Sequence, residues 1–341
     1  ESYPITPSHS RNVKRRRVGV KGELSKMVSL LRTLGIAFVV HGIYLIYPLI
    51  LIVLPIYSLT TAYWWVTCLV VPAYLYWTFD GSEYREGRSW KAFTEFPVWT
   101  WIFDYFPVTL ERASKPLDPK HKYIFALGPH GTLAWGRLAF AFKRSQMWDK
   151  LFPGIETRDL AAGVMFKLPG IREIWLWTKC VDASRATADH LLADSPYSVL
   201  VYPGGEYEQI ETCKGKQQLV MSHSKGFCRL ALRHGAHLVP CYVFGETEIF
   251  RCWTGAMSLR RWIVKTFRIA PIVFWGRFFG VPFQVPVTSV TGPPIPVKKV
   301  ENPTPEQVDL LHARFLEAIR ELYEKEKTKH GLAADEPLTI L

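Results

Sequence analysis

The chain has 341 residues, a formal net charge of +12 and 48% hydrophobic residues, which include 13 Trp and 20 Phe. The length allows one or two domains, and the positive charge favours an acidic partner such as a nucleic acid, an anionic membrane surface or a phosphate-bearing molecule. Its six cysteines form no Cys-x-x-Cys pair, which argues against zinc and thioredoxin-type sites and favours reduced thiols in a protein facing the cytosol.

A basic, irregular segment occupies residues 1–32 and contains eight Lys or Arg residues, with the densest cluster at 14–17. Because the chain begins at Glu1 instead of Met, we expect further residues to precede it. A segment of this kind is either a solvated tail or a patch that binds a membrane surface and sets its topology.

The next segment, residues 33–79, contains no Asp, Glu, Lys or Arg. A membrane-spanning helix needs about 20 apolar residues, so this segment predicts a transmembrane hairpin with spans near 34–54 and 57–77. Prolines, of which Pro55 lies between the spans, predict kinks or a turn. The basic segment predicts that both ends of the hairpin face the cytosol. A very apolar hairpin in a soluble core is the alternative, and the length of the segment argues against it.

Residues 80–332 alternate between apolar runs and helical patterns, and residues 333–341 are expected to form a C-terminal tail. The predicted strands are Tyr123–Leu127, Ser198–Tyr202 and His237–Phe244. The predicted helices are Arg185–Leu192 after an N-cap at Ser184, Lys225–Arg233, and the amphipathic segment Pro305–Lys329. Strands that alternate with helices predict an α/β fold with parallel strand pairs.

Three glycine-containing turns, at residues 128–131, 203–205 and 245, each follow a predicted strand. Ligands of α/β folds bind at such strand ends, and the imidazole of His130 is suited to act as a general base. A single tight turn or a lone histidine is more often structural, but three turns with a His or Glu nearby favour a site. The chain lacks Gly-x-Ser-x-Gly, Walker A, His-Glu-x-x-His and Gly-x-Gly-x-x-Gly motifs, and no metal site is expected. This pattern favours a base that activates a hydroxyl of a lipid substrate.

Several segments resemble the signatures of the type-2 diacylglycerol acyltransferase family, which also contains monoacylglycerol and wax-alcohol acyltransferases. They are "DYFPVTL" (104–110), "GPHG" (128–131), "FKLPGIRE" (166–173), "YPGGEYE" (202–208), "KGFCRLALRHGAHLVPCYVFGE" (225–246) and "VTGPPIPV" (290–297). The resemblance covers roughly residues 80–332, and its most specific part is the long block at 225–246.

The resemblance implies a glycerolipid-acyltransferase-like mixed sheet flanked by helices and anchored by the hairpin in the endoplasmic reticulum membrane, often at lipid-droplet contacts. The catalytic domain and both termini would face the cytosol. The implied reaction transfers a fatty acyl group from acyl-CoA, a co-substrate, to diacylglycerol, without a cofactor. Membrane lipids are the other expected partners; nucleic acid is not expected, and a homo-oligomer is left open. Acylation of monoacylglycerol or a long-chain alcohol, and a non-catalytic lipid-binding protein, are the alternatives.

The resemblance also assigns the catalytic residues. His130 is retained as the base, whereas Gly128 replaces the first histidine of the family's His-Pro-His-Gly block, and we expect a histidine there to leave activity within a few fold. Trp135 stands where the wider glycerolipid acyltransferases carry an Asp. Glu208 is therefore assigned as the carboxylate that orients His130, with Glu206 and Glu246 as rivals.

The expected substrate-binding residues are Pro129, Gly131, Pro203, Gly204, Gly205, Lys225, Arg229 and Glu246. Main-chain N–H groups near Gly131 or Gly204–Gly205 are candidates to stabilise the oxyanion. Lys225 opens a predicted helix and is the candidate for the CoA phosphates, although a solvated helix face remains the alternative for such cations. Direct transfer is expected, with Cys213 as the rival nucleophile of a covalent route.

Overall fold

Seven strands form the central sheet of the computed structural model, which describes residues 27–37, 42, 47–142, 147–278 and 280–341. The eleven strands of the described chain are β1 (Val108–Arg112), β2 (Tyr123–Gly128), β3 (Thr157–Ala161), β4 (Cys180–Asp182), β5 (Ser198–Val201), β6 (Gln218–Leu219), β7 (His237–Phe244), β8 (Arg251–Cys252), β9 (Phe274–Trp275), β10 (Val287–Thr291) and β11 (Thr339–Ile340). The central sheet has the order β1-β10-β7-β2-β5-β3-β4. Two small sheets pair β6 with β11 and β8 with β9.

The central sheet is mixed. Its strands β7, β2, β5, β3 and β4 run parallel to one another, whereas β10 is antiparallel to β7 and parallel to β1. The carboxyl ends of the five parallel strands therefore meet at one edge of the sheet, where α/β folds bind ligands. The predicted α/β fold with a parallel-rich mixed sheet is confirmed.

Helices connect the strands and cover both faces of the sheet. Their bounds are α1 (Tyr47–Leu59), α2 (Trp64–Thr78), α3 (Lys91–Thr94), α4 (Val98–Tyr105), α5 (Leu138–Ala141), α6 (Met147–Leu151), α7 (Ile171–Trp177), α8 (Arg185–Ala193), α9 (Gly205–Glu211), α10 (Gly226–His234), α11 (Met257–Phe267) and α12 (Pro305–Glu326). The hydroxyl of Ser184 caps α8 by accepting a hydrogen bond from the N–H of Thr187 at 3.3 Å. Gly235, with φ of +67°, ends α10 in the left-handed conformation that glycine adopts readily.

The core lies on both faces of the sheet because the buried side chains of β2 alternate between them. Phe125 and Leu127 pack in one cluster with Phe140 and Trp148, which belong to α5 and α6. Residues 124 and 126 pack in the other cluster, which α8, α10 and α12 complete. All six positions of β2 are buried, as expected of a central parallel strand.

The predicted strands and helices of the catalytic region agree with the structure to within a few residues. Strands β1, β3, β4 and β10 were not predicted, because polar residues such as Thr, Arg, Asp and Glu interrupt their apolar sequences. The predicted C-terminal tail contains β11, which pairs in parallel with β6. The carbonyl of Leu341 also accepts hydrogen bonds from the N–H groups of Met221 and Ser222, at 3.0 and 2.8 Å.

The N-terminal apolar segment forms the helices α1 and α2, preceded by helical residues 27–37. The predicted boundary between the two spans, at 55–56, is wrong, because Pro55 lies inside α1 and the chain turns at 60–63. The hydroxyl groups of Thr60 and Thr61 donate to the carbonyls of Tyr57 and Ser58 there. Among the described ranges, each helix falls short of the length or apolar composition that a membrane crossing needs. Most of the basic segment, residues 1–26, and parts of the first predicted span lie outside the described residues.

Candidate active site

A cavity of about 1090 Å³ opens at the carboxyl ends of β2, β3 and β5. Most of its lining is apolar and comes from residues 160–168, 200–207 and 268–275. The polar side chains on its wall include His130, Arg137, Asp159 and Tyr202. A large apolar space with a few convergent polar groups is typical of a binding site for a lipid-like substrate.

His130 is mounted on the turn that follows β2. Its ring nitrogen Nδ1 lies 3.3 Å from the carbonyl oxygen of Gly131, which can only accept a hydrogen bond. The neutral ring therefore carries its proton on Nδ1 and leaves Nε2 to accept a proton. Burial, opposed by the hydrogen bond to Gly131 and assisted by the charge of Arg137, lowers the pKa of His130 to about 4. The imidazole is neutral at physiological pH, as a general base must be.

Glu208, in the first turn of α9, holds the main chain of this turn. One carboxylate oxygen accepts the N–H of His130, and Oε2 accepts the N–H of Val220 at 2.9 Å. The side chain is buried, and burial raises the pKa of Glu208 to about 7 against the lowering effect of these two bonds. The resemblance assigns this carboxylate to the imidazole of His130, whereas the structure has it bind the main chain that carries the imidazole. Glu208 thus holds the main chain of His130 without contacting the ring nitrogens.

Glu246 supports the same turn from the other side. It follows β7, and its two oxygens accept the N–H groups of Trp135 and Gly136 at 2.9 and 2.7 Å. Burial raises the pKa of Glu246 to about 8, and the nearby carboxylate of Glu208 adds to this effect. At Gly131, where φ is +60°, an added Cβ would lie 2.5 Å from Cγ of Glu246, so the turn accepts only glycine. Glu246, which was predicted to bind substrate, therefore binds the main chain that follows His130.

Gly128 is closely packed at the end of β2. A Cβ atom at this position would lie 2.7 Å from Cδ2 of Leu219 and 3.1 Å from Cε of Met221. The space that a histidine would need is therefore occupied by the segment around β6, and the structure argues against the expectation that His is tolerated here.

The Pro203-Gly204-Gly205 turn lines the cavity, as does Glu206. An added Cβ at Gly204 would collide with the carboxylate of Glu208, which explains the need for glycine. The N–H of Gly205, one of the predicted oxyanion donors, donates to the carbonyl of Tyr202 at 3.1 Å and is thus engaged in the start of α9.

Lys225 is the N-cap residue of α10 and Arg229 lies on this helix. Neither is part of the described cavity wall, although Ser224, next to Lys225, is. The ammonium of Lys225 forms an ion pair with Asp309 of α12 at 2.7 Å, and Arg229 is exposed. Pro129, the residue before His130, is also not among the described residues that line the cavity. The structure does not bring the predicted phosphate-binding cations close to His130. Arg229 lies on a solvated face of its helix.

Three further polar residues of the cavity wall were not predicted from the sequence: Arg137, Asp159 and Tyr202. Nε of Arg137 lies 3.5 Å from Oδ2 of Asp159, and both side chains are largely buried in the cavity wall. The rings of Tyr202 and His130 have centroids 4.7 Å apart. Tyr202 belongs to the quoted segment "YPGGEYE" and could have been found there, whereas the approach of Asp159 depends on the pairing of β3 with β5.

Among the described residues, the cysteine that lines the cavity is Cys180. Cys213, the predicted rival nucleophile, does not line it. Burial raises the pKa of Cys180 to about 12, although Arg137 opposes this effect, so the group is a thiol and a weak nucleophile at neutral pH. Within the described ranges, no group of three or more His, Cys, Asp or Glu side chains is placed to hold a metal ion.

The chain is similar to several known proteins. It is 34% identical to diacylglycerol O-acyltransferase 2 of Homo sapiens over 80% of this chain and 74% of that protein. It is 33% identical to acyl-CoA wax alcohol acyltransferase 2 of Homo sapiens, over 82% and 87% of the two chains. The 2-acylglycerol O-acyltransferase 3 of Homo sapiens is 34% identical over 79% of this chain and 83% of its own.

Among solved structures, the 1-acyl-sn-glycerophosphate acyltransferase of Thermotoga maritima matches with a TM-score of 0.42 and 15% sequence identity. The match covers 89% of this chain and 97% of that one. The family model described as diacylglycerol acyltransferase matches residues 56–341. This match extends over His130, Glu208, Glu246 and the cavity. The chain therefore belongs to the diacylglycerol acyltransferase family.

Proposed function

We propose that this protein transfers a fatty acyl group directly from acyl-CoA to the free hydroxyl of diacylglycerol and so forms triacylglycerol. The observation that carries the proposal is a neutral imidazole, fixed by a glycine turn, in the wall of a large apolar cavity. Membership of the acyltransferase family supports the reaction class.

The reaction needs one base and no covalent intermediate. Nε2 of His130 takes the proton of the acceptor hydroxyl while the oxygen attacks the carbonyl carbon of the thioester. A carbon–oxygen bond forms, the carbon–sulfur bond breaks, and the CoA thiolate takes the proton from the imidazolium. The thiol form of Cys180 supports direct transfer, because a covalent route would need a thiolate in the cavity.

We further propose that the enzyme works at the endoplasmic reticulum membrane with its catalytic domain facing the cytosol. Apolar side chains of α1 and α2 are exposed, which suits contact with lipid. The hydroxyl of Tyr74 in α2 donates to Glu173 of α7 at 2.6 Å, so this apolar segment is joined to the catalytic domain.

A second surface supports this arrangement. Residues 249–300 contain no Asp or Glu, and the exposed side chains between 253 and 278 include Trp253, Leu259, Trp262, Phe267, Val273 and Phe278. Exposed basic residues lie among them, and residues 268–275 also line the cavity. Aromatic and basic side chains together suit the interface of an anionic bilayer, from which a lipid acceptor would enter.

The test is to express the chain in cells that lack neutral-lipid synthesis and to separate their lipids by chromatography. We expect triacylglycerol from the wild type and none from His130→Ala at equal protein level. Wax ester or diacylglycerol as the main product would replace the proposed acceptor, and the absence of any product would reject the reaction.

Membrane topology is tested with tags at both ends of the chain in sealed microsomes. We expect added protease to remove both tags. Protection of either tag until detergent is added would contradict the proposed orientation.

A further inference from the structure

A tyrosine hydroxyl without a hydrogen-bond partner lies in the cavity wall beside the base. The Oη atom of Tyr202 is buried, and none of the described residues forms a hydrogen bond with it. An unpaired buried polar group costs about 1–3 kcal/mol, so native structures rarely retain one without a role. Because Tyr202 and His130 line the same cavity with ring centroids 4.7 Å apart, a bound substrate can supply the missing partner.

The chemistry of the partner follows from the state of the hydroxyl. Burial raises the pKa of Tyr202 well above its ordinary value, and Glu246 adds to this effect while Arg137 opposes it. The side chain is therefore a neutral phenol, which donates one hydrogen bond. A substrate oxygen that only accepts hydrogen bonds, such as the carbonyl oxygen of an ester or thioester, is the matching group.

Among the described residues, one positive charge acts on Tyr202, that of Arg137, and it opposes the effects of Glu246, Asp159 and Glu208. The guanidinium of Arg137 is held by Asp159 and by the carbonyl and hydroxyl of Thr178, at 3.3 and 3.2 Å from its Nη2. A fixed positive charge and a fixed donor in a buried site stabilise charge that develops during a reaction. The N–H of Gly205, one of the main-chain donors expected at this site, is already engaged with the carbonyl of Tyr202.

We propose that Tyr202 donates a hydrogen bond to a substrate carbonyl oxygen bound beside His130. The inference rests on the proposed acyl transfer from acyl-CoA to diacylglycerol. The carbonyl has two sources, the thioester, whose oxygen becomes negative as the hydroxyl adds, and an ester of the glyceride acceptor. A variant without the hydroxyl should show different kinetics depending on which of the two carbonyls Tyr202 binds.

The experiment measures kcat and KM of purified Tyr202→Phe with oleoyl-CoA and dioleoylglycerol in detergent micelles. Binding to the thioester predicts a fall in kcat of about 10²–10³-fold at nearly constant KM, since the bond strengthens in the transition state. Binding to the acceptor ester predicts a KM for dioleoylglycerol raised by about 2–13-fold at nearly constant kcat. Values of kcat and KM that both stay within twofold of wild type would overturn the proposal.

Two controls separate this role from a structural one. Because the hydroxyl forms no bond within the described protein, Tyr202→Phe should unfold at or above the wild-type temperature, and a lower unfolding temperature together with the activity loss would assign it a structural role instead. Tyr123→Phe removes a hydroxyl at the opposite end of β2, where it donates to the carbonyl of Asp118 at 2.8 Å, and should keep wild-type kinetics. A wild-type enzyme inactive towards dioleoylglycerol would reject the proposed function before the variant is compared.

Discussion

Replacement of Glu208 by glutamine tests whether this carboxylate acts on the main chain of His130 or on its ring. In the wild type the two oxygens accept the N–H groups of His130 and Val220. Glutamine keeps one oxygen and places an NH₂ group at the other position, so one buried N–H loses its acceptor. That loss costs about 1–3 kcal/mol. Since 1 kcal/mol corresponds to roughly 2–4 °C in domains of 150–250 residues, we expect an unfolding temperature lower by about 2–12 °C.

The same substitution should slow the reaction because the turn that carries the base is less firmly held. A displacement of about 1 Å at a reacting group costs on the order of 10²-fold, so we expect kcat to fall by about 10–100-fold. The part of the pH–rate profile that the imidazole sets, near pH 4, should stay in place because the carboxylate does not contact the ring, whereas the loss of rate near pH 7 that protonation of Glu208 causes should disappear. Kinetics of triacylglycerol formation between pH 4 and 8 and thermal unfolding of the same sample measure both effects.

Glu211→Gln is the matched control on the same helix. Its carboxylate pairs with the exposed Arg261 on the surface, where such pairs contribute about 0–1 kcal/mol, so its kinetics and unfolding should be close to wild type. An unchanged unfolding temperature in Glu208→Gln together with a displacement of the part near pH 4 by about one pH unit would refute the reasoning and place the carboxylate on the imidazole.

Three further predictions concern the turn that carries His130. His130→Ala should lower kcat by at least about 10²-fold with normal membrane accumulation on immunoblots, and a loss below tenfold would show that another group is the base. Because the ring titrates near 4 when folded and near 6.5 when exposed, the stability of the wild type should decline more than that of His130→Ala as the pH falls from 6.5 to 4, and equal declines would contradict the buried ring. Gly128→His should lose about 1–3 kcal/mol of stability in denaturant titrations through overpacking against Leu219 and Met221, and an unchanged midpoint would show that these side chains move aside freely.

The strands that could be predicted are those without polar interruptions. In β2 and β7 every apolar run ends at a glycine, which gives the sequence pattern of a buried parallel strand. In β3, Arg158 and Asp159 are buried beside each other, although charged residues of these types are typical of an exposed loop. Only the positions of β4 and β5 on either side of β3 explain why these charges lie in the interior.

The candidate site could also be predicted only in part from the sequence. A base on a Gly-Pro turn can be predicted locally, since His130 and the residues that shape its turn are contiguous. The role of Glu208 could not, because a carboxylate near a histidine can bind either its ring or its main chain, and the choice depends on where α9 begins. Lys225 matched a phosphate-binding pattern, but Asp309 of α12, distant in the sequence, pairs with its charge.

The pairing of β11 with β6 has a consequence for the order in which the enzyme is made. Leu219 and Met221 fill the space behind Gly128, and residues 339–341 hold their segment through main-chain hydrogen bonds. During synthesis, His130 emerges from the ribosome some two hundred residues earlier than the strand that completes its support. A chain that stops before residue 339 therefore carries His130 and both carboxylates without the main-chain hydrogen bonds that hold the segment behind Gly128.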